Sequence, residues 1–116
     1  MTGQAYKILT LAEHEQLLRD GVFAGSPADL ADGFVHLSTA EQVDGTAAKH
    51  FADRGALMIA ACPVERLGEA LRWEPSRGGA LFPHLYRALT MDDIAWIRPL
   101  PRSADGRYRL PAGDST

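Results

Sequence analysis

The sequence predicts an α+β fold in one domain. Helical signals, in the form of capping boxes and apolar residues at helical spacing, gather in the first half of the chain, while runs rich in β-branched and aromatic residues gather in the second. No strand–helix unit repeats along the chain, which argues against a βαβ array. At 116 residues the chain is long enough for one hydrophobic core and too short for two of comparable size, so residues 1–116 are read as one unit with a core over about 5–100. Its 46% hydrophobic and 23% charged residues are the proportions of a folding globular protein rather than a disordered one.

"AYKIL" (5–9) opens as a strand. Thr10 followed three residues later by Glu13 is a capping box, so a helix should run from Leu11 to Asp20 and stop at Gly21, with Leu11, Leu17 and Leu18 as its apolar stripe and His14 on its surface. In "SPADLADG", Ser26 is a second cap, Pro27 occupies the first helical position, Asp29 lies in the first turn and Gly33 ends a short helical loop. "FVHLS" (34–38) follows as a strand, with Phe34, His36 and Ser38 on one face and Val35 and Leu37 on the other. Thr39 or Ser38 then caps a helix through about Asp53, because Thr39 and Gln42 repeat the box spacing and Val43, Ala47 and Phe51 recur at helical intervals; His50 borders that stripe.

"ALMIAACPV" (56–64) is apolar on both faces and reads as a central strand. A short strand "LRWE" (71–74) precedes the Gly- and Pro-rich "PSRGGALFP", read as a loop. "HLYRAL" (84–89) and "IAWIRPL" (94–100) are two more strands joined by the turn "TMDD". Residues 101–116 are read as a solvated tail, since Asp105 interrupts the arginines Arg98, Arg102, Arg107 and Arg109 and no aromatic-rich strand accompanies them.

Several function classes are set aside at this level. A net charge of −3 offers no basic field for a phosphodiester backbone. Cys62 is the one cysteine, so neither an intramolecular disulfide nor a CxxC site can form, and it is read as a small buried thiol. "MTGQAYKILT" lacks the charge and apolar run of a secretory signal, and no stretch approaches transmembrane length, so a cytoplasmic location and no membrane partner are expected. No HxH or HExxH supports a metal site, and no GxSxG, P-loop or GxGxxG occurs.

What remains is polar chemistry on strands. His36 shares a face with Ser38, and His84 with Tyr86, each pair beside large apolar residues. Imidazole, hydroxyl and phenol bind ribose hydroxyls or a carbonyl by directed hydrogen bonds, and Phe34, Phe82 or Trp73 can contact a planar ring. Each histidine can equally satisfy a local hydrogen bond, and Glu74 is either a general acid or base or a strand-end carboxylate.

The segments "AYKIL", "DLADGFVHLSTAEQ", "LRWE" and "GGALFPHLYRAL", with their spacing over residues 5–100, resemble the bacterial domain of unknown function 952 family. That resemblance implies an ADP-ribosyltransferase-like fold, a split antiparallel β core with two main helices in the N-terminal half, distantly similar to the RNA 2'-phosphotransferases, whose "HVHLS"-like strand contributes to an NAD-derived site. By the same resemblance His36 and His84 are the candidate catalytic pair, NAD is the expected cofactor, and Tyr6, Lys7, Ser38, Phe82 and Tyr86 are binding candidates. Tyr6 or Tyr86 would stack on the base, Lys7 would bring charge near phosphate and Ser38 would support its strand. The chain departs from the superfamily where Tyr6-Lys7-Ile8-Leu9 stands in place of a Tyr-His-Gly-Thr stretch, and no glutamate is assigned to the third signature position. The implied activity is ADP-ribosyl transfer or NAD processing; the alternatives are a non-catalytic module binding a nucleotide or other small molecule, and a small accessory interaction protein.

Overall fold

The computed structural model describes residues 3–111. Its elements begin where local chemistry is strongest. β1 (Gln4–Thr10) runs into α1 (Leu11–Asp20) through the Thr10 box, in which Thr10 Oγ1 accepts from the Glu13 N–H at 3.2 Å and Glu13 Oε1 accepts from the Thr10 N–H at 3.0 Å. Gly21 ends α1 at φ 75°, a left-handed conformation that glycine adopts without steric cost. The next elements are β2 (Val22–Phe23), α2 (Pro27–Asp32) and β3 (Val35–His36), with Gly33 at φ 88° closing α2. A 3₁₀ turn at Ala40–Gln42 then leads into α3 (Val43–His50). The second half supplies β4 (Leu57–Pro63), α4 (Val64–Leu67), β5 (Leu71–Pro75), β6 (Leu81–Leu85), β7 (Leu89–Thr90) and β8 (Trp96–Pro99).

The fold is thus α+β, with α1 and α3 as the longer helices, both in the N-terminal half. The strands form three sheets in the orders β1-β4-β8, β2-β7 and β3-β6-β5, and every ladder among the described residues is antiparallel. β4 is covered on both faces, as its unbroken apolar run requires. Ala60 and Cys62 join Leu9, Leu17, Phe23 and Leu85 in one core cluster, while Leu57 and Ile59 join Ile8, Val43, Ala47 and Tyr108 in the other. Ile59 is fully buried, and removing such a side chain from water stabilises the fold by about 1.5–3 kcal/mol. Among the described residues no helix is long and apolar enough to cross a membrane.

The structure corrects the sequence reading at several points. Of the α1 stripe only Leu17 is buried; Leu11 and Leu18 are exposed. The strand expected over 34–38 is divided. Val35 and His36 pair with β6, but Ser38 crosses to β1, exchanging backbone hydrogen bonds with Tyr6 at 2.8 and 2.9 Å. α3 stops at His50, short of Asp53, and its first turn tightens into 3₁₀ where Gln42 Oε1 accepts from the Thr39 N–H at 3.0 Å.

"PSRGGALFP" is not wholly loop, since Leu81–Leu85 forms the central strand of its sheet; Pro83, which cannot donate to a ladder, concealed it. "HLYRAL" is not one strand: after Leu85 the Tyr86 N–H turns to Ala70 O at 2.8 Å, and Leu89 and Thr90 pair with β2 instead. The bend is held by Arg87, whose guanidinium forks onto Asp93 at 2.7 and 3.0 Å. Nor is the tail all solvated, because Tyr108 is buried in the second core cluster and its N–H donates to Asp44 Oδ1 at 2.8 Å. Residues 112–116 of that expected tail, and residues 1–2 at the other end, lie outside the described residues.

Candidate functional site

The Ser26 box does more than start α2. It sets Asp29 at the third helical position, where Oδ2 accepts from the Ser26 N–H at 2.9 Å and from Lys7 Nζ at 3.0 Å. The other oxygen, Oδ1, accepts from the His36 N–H at 3.0 Å and lies 2.6 Å from His36 Nδ1. Asp29 is only 2% exposed, and a carboxylate stripped of water persists only when its lone pairs are filled. Burial pushes its pKa up, but the hydrogen bond from His36, the Lys7 charge and the N–H groups of Ser26 and His36 together hold it well below the usual carboxylate range. An ionised Asp29 therefore fixes the His36 ring with its Nδ1–H inward. Outward, Nε2 lies 2.9 Å from Oδ2 of Asp32 on the exposed end of α2.

Sheet register brings the second histidine alongside. His36 on β3 stands directly opposite His84 on β6, with ring centroids 5.7 Å apart. Phe34 packs on both rings, stacked on His84 at 4.0 Å and tilted against His36 at 4.7 Å. His84 is itself buried, and its Nδ1 lies 2.8 Å from Glu74 Oε1, which also accepts from the Tyr86 hydroxyl at 2.7 Å. The Tyr86 hydroxyl first, and His84 second, hold the Glu74 carboxyl below its ordinary value, while Glu74 pushes the Tyr86 phenol up.

Both histidines line a cleft of about 610 Å³. β1 contributes Tyr6, Lys7 and Ile8, and the chain beyond β3 contributes Leu37 and Ser38. The C-terminal end of α3 and the turn after it bring Lys49, His50, Phe51 and Arg54. Aromatic surface from Tyr6, Phe51 and Phe82 is thus combined with basic side chains and three imidazoles, those of His36, His84 and His50. Among the described residues no group of three or more His, Cys, Asp or Glu could hold a metal ion.

Six of the seven residues singled out from sequence, Tyr6, Lys7, His36, Ser38, Phe82 and His84, meet at this cleft. Tyr86 does not line it; it lines a separate depression of about 280 Å³ with Phe34 and Arg87, and reaches His84 through Glu74. Lys7 is 3% exposed, and its ammonium is committed to Asp29 and to the His36 carbonyl at 3.2 Å. That charge orders the cluster behind His36. Ser38 donates to Thr46 Oγ1 at 3.2 Å, tying the chain just beyond β3 to α3. Trp73, a candidate ring contact, is exposed on β5 and does not line the cleft.

Sequence reasoning missed Asp29 and Asp32 as site residues, and with them the basic end of α3. Asp29 was visible only as a helix start. Asp32 did carry a faint signal, an acidic residue in the last turn of a helix, where the dipole disfavours it.

These features define a small α+β protein in which two cross-strand histidines, each held by a carboxylate through Nδ1, border a cleft. The chain belongs to the family described as Protein of unknown function (DUF952), whose model matches residues 8–97. It is similar to protein CC0527 from Caulobacter crescentus, whose crystal structure is 48% identical over 92% of this chain and 94% of that chain, with a TM-score of 0.85. The solution NMR structure of CC0527 gives 49% identity over 90% of both chains and a TM-score of 0.78. No curated protein matches the chain.

Proposed function

We propose that the cleft binds a nucleotide of the NAD or ADP-ribose class. The observation that carries this reading is the His36–His84 pair, two imidazoles in register on neighbouring strands and anchored from behind by Asp29 and Glu74. Anchoring through Nδ1 leaves Nε2 of each ring as the nitrogen to meet a ligand, that of His36 once the exposed Asp32 carboxylate 2.9 Å away gives it up, and pre-orientation lowers the entropy lost on binding. The volume of about 610 Å³ is within the range of small-molecule sites. Tyr6, Phe51 and Phe82 offer flat surface to a base, Lys49 and Arg54 offer charge to a phosphate, and His36 can hold a ribose hydroxyl or pyrophosphate edge. The donor set therefore fits such a ligand.

Bound NAD would supply a labile glycosidic bond to nicotinamide, and the resemblance to ADP-ribosyltransferases makes transfer or cleavage at that bond the accompanying catalytic reading. His84, buried under Phe34, acts in it by positioning rather than by broad contact. One observation favours binding without turnover: the first strand, where many superfamily members carry a histidine or arginine, has Lys7, whose charge is enclosed by Asp29. Calorimetric titration of wild type and His36→Ala with NAD and ADP-ribose tests the binding. Wild type should bind at least one of them and His36→Ala should lose most of the affinity; no heat and no thermal shift in wild type would sink the reading. Release of nicotinamide that disappears in His36→Ala and His84→Ala assigns an enzyme, whereas saturable binding without release assigns a binding module.

A further inference from the structure

We infer that Asp32 is a displaceable internal occupant of the ligand's anionic subsite: its carboxylate holds His36 Nε2 in the resting protein, and a phosphate-type oxygen takes its place on binding. The inference rests on the nucleotide reading and names what that ligand must present to His36.

Both nitrogens of His36 face carboxylate oxygens, Nδ1 toward Asp29 at 2.6 Å and Nε2 toward Asp32 at 2.9 Å. A carboxylate oxygen only accepts, so the two hydrogen bonds coexist only when both ring nitrogens carry hydrogen and the ring is an imidazolium. The two carboxylates are not equivalent. Asp29 is 2% exposed and bound to four donors on three residues, so it cannot leave without stranding Lys7. The Asp32 side chain is 53% exposed and, among the described residues, its contact with His36 is its one hydrogen bond. A single such contact at the surface is weak and readily exchanged.

Charge then selects the replacement. With both His36 nitrogens carrying hydrogen, Lys7, Asp29 and the ring sum to one positive charge, which Asp32 neutralises. When Asp32 swings away, that charge faces a cleft also lined by Lys49 and Arg54. The incoming group must accept a hydrogen bond at Nε2 and should carry negative charge, as the carboxylate it replaces does. A neutral nucleoside brings no such charge.

The test uses the full chain as wild type, Asp32→Ala and Asp32→Asn. Pyrophosphate is titrated while the ring ¹⁵N signals of the histidines are followed, and ADP-ribose, NAD and adenosine are titrated by calorimetry. Pyrophosphate and ADP-ribose should bind about fivefold more tightly to Asp32→Ala than to wild type, with Asp32→Asn between them and adenosine indifferent to either change. The His36 ring signals should move on adding pyrophosphate. Unchanged or weaker anion binding in both variants overturns the role of Asp32 even if ADP-ribose binds wild type, leaving the nucleotide reading in place. If ADP-ribose and NAD both fail to bind any of the three proteins while pyrophosphate binds more tightly to the variants, the nucleotide reading falls and the displaceable carboxylate stands. Silence with pyrophosphate, ADP-ribose and NAD in all three proteins overturns both.

Discussion

Asp29 and Asp93 begin as the same local device. Each is the third residue of a helical turn capped by a hydroxyl residue, Ser26 or Thr90, and each accepts the cap's backbone N–H at 2.9 Å. Both are buried, and both meet a cation from elsewhere in the chain. The difference lies in the remaining partners. Asp93 receives both arms of the Arg87 guanidinium and the Thr90 hydroxyl at 3.0 Å, so its oxygens are filled within the fold and its work is to hold a bend. Asp29 takes a point charge from Lys7 on one oxygen and gives the other to a histidine ring whose side chain is 36% exposed. A shared capping motif thus serves packing in one place and presents an imidazole to a cleft in the other.

Substitutions should pull the two apart. Asp29→Ala leaves Lys7 buried without a counter-charge and should lower unfolding free energy by about 3–5 kcal/mol, while Asp93→Ala, whose partner Arg87 can rehydrate, should cost about 2 kcal/mol. Urea denaturation of the two proteins checks the order, and equal losses would erase the distinction.

Acid should act on both. Burial raises each pKa, but His36 and Lys7 around Asp29, and Arg87 and Thr90 around Asp93, bring the folded value below the ordinary 3.8. A depressed carboxylate contributes stability that is fully present above the unfolded value and lost as pH falls toward the folded one, because the unfolded chain then binds more protons. The urea midpoint should accordingly hold steady down to about pH 5 and fall below about pH 4, with the acid limb flattened more by Asp29→Asn than by Asp93→Asn.

A gentler pair of changes sharpens the functional half of the contrast. His36→Gln should weaken ADP-ribose binding about tenfold in calorimetry, since it removes one charge-assisted hydrogen bond from the cleft. Arg87→Lys, which turns a fork into a single contact, should lower stability by about 1 kcal/mol in urea and leave that affinity unchanged. Tyr86→Phe is expected to do least. It removes one exposed hydroxyl from Glu74, so the melting temperature should stay with wild type and only the His84 ring signals should move in an NMR spectrum.

The helix starts at Thr10 and Ser26, their stops at Gly21 and Gly33, and the extent of β1 and β4 were all legible, because each rests on a few adjacent residues or on an unbroken apolar run. The start of β6, Leu81–Pro83, was hidden, since Gly78, Gly79 and Pro83 give its surroundings the composition of a loop and its pairing depends on strands far away. The buried tail residue Tyr108 was hidden for a similar reason, as its partner Asp44 is 64 residues distant. Within the site, Tyr6, His36, Ser38, Phe82 and His84 could be named from strand faces and family resemblance, while the basic end of α3 could not, because its placement depends on how that helix packs.

The sequence alone determined the local grammar: which hydroxyl caps which turn, where glycine lets the chain reverse, and which strands must be covered. Those outcomes follow from backbone conformation and hydrogen bonds between near neighbours. Tertiary structure decided that His36 faces His84, that Lys7 turns inward to Asp29, and that two like-placed aspartates divide their labour. Each of these depends on which distant groups the strand register brings within about 3 Å, a separation over which hydrogen bonds and paired charges act and on which sequence distance has no bearing.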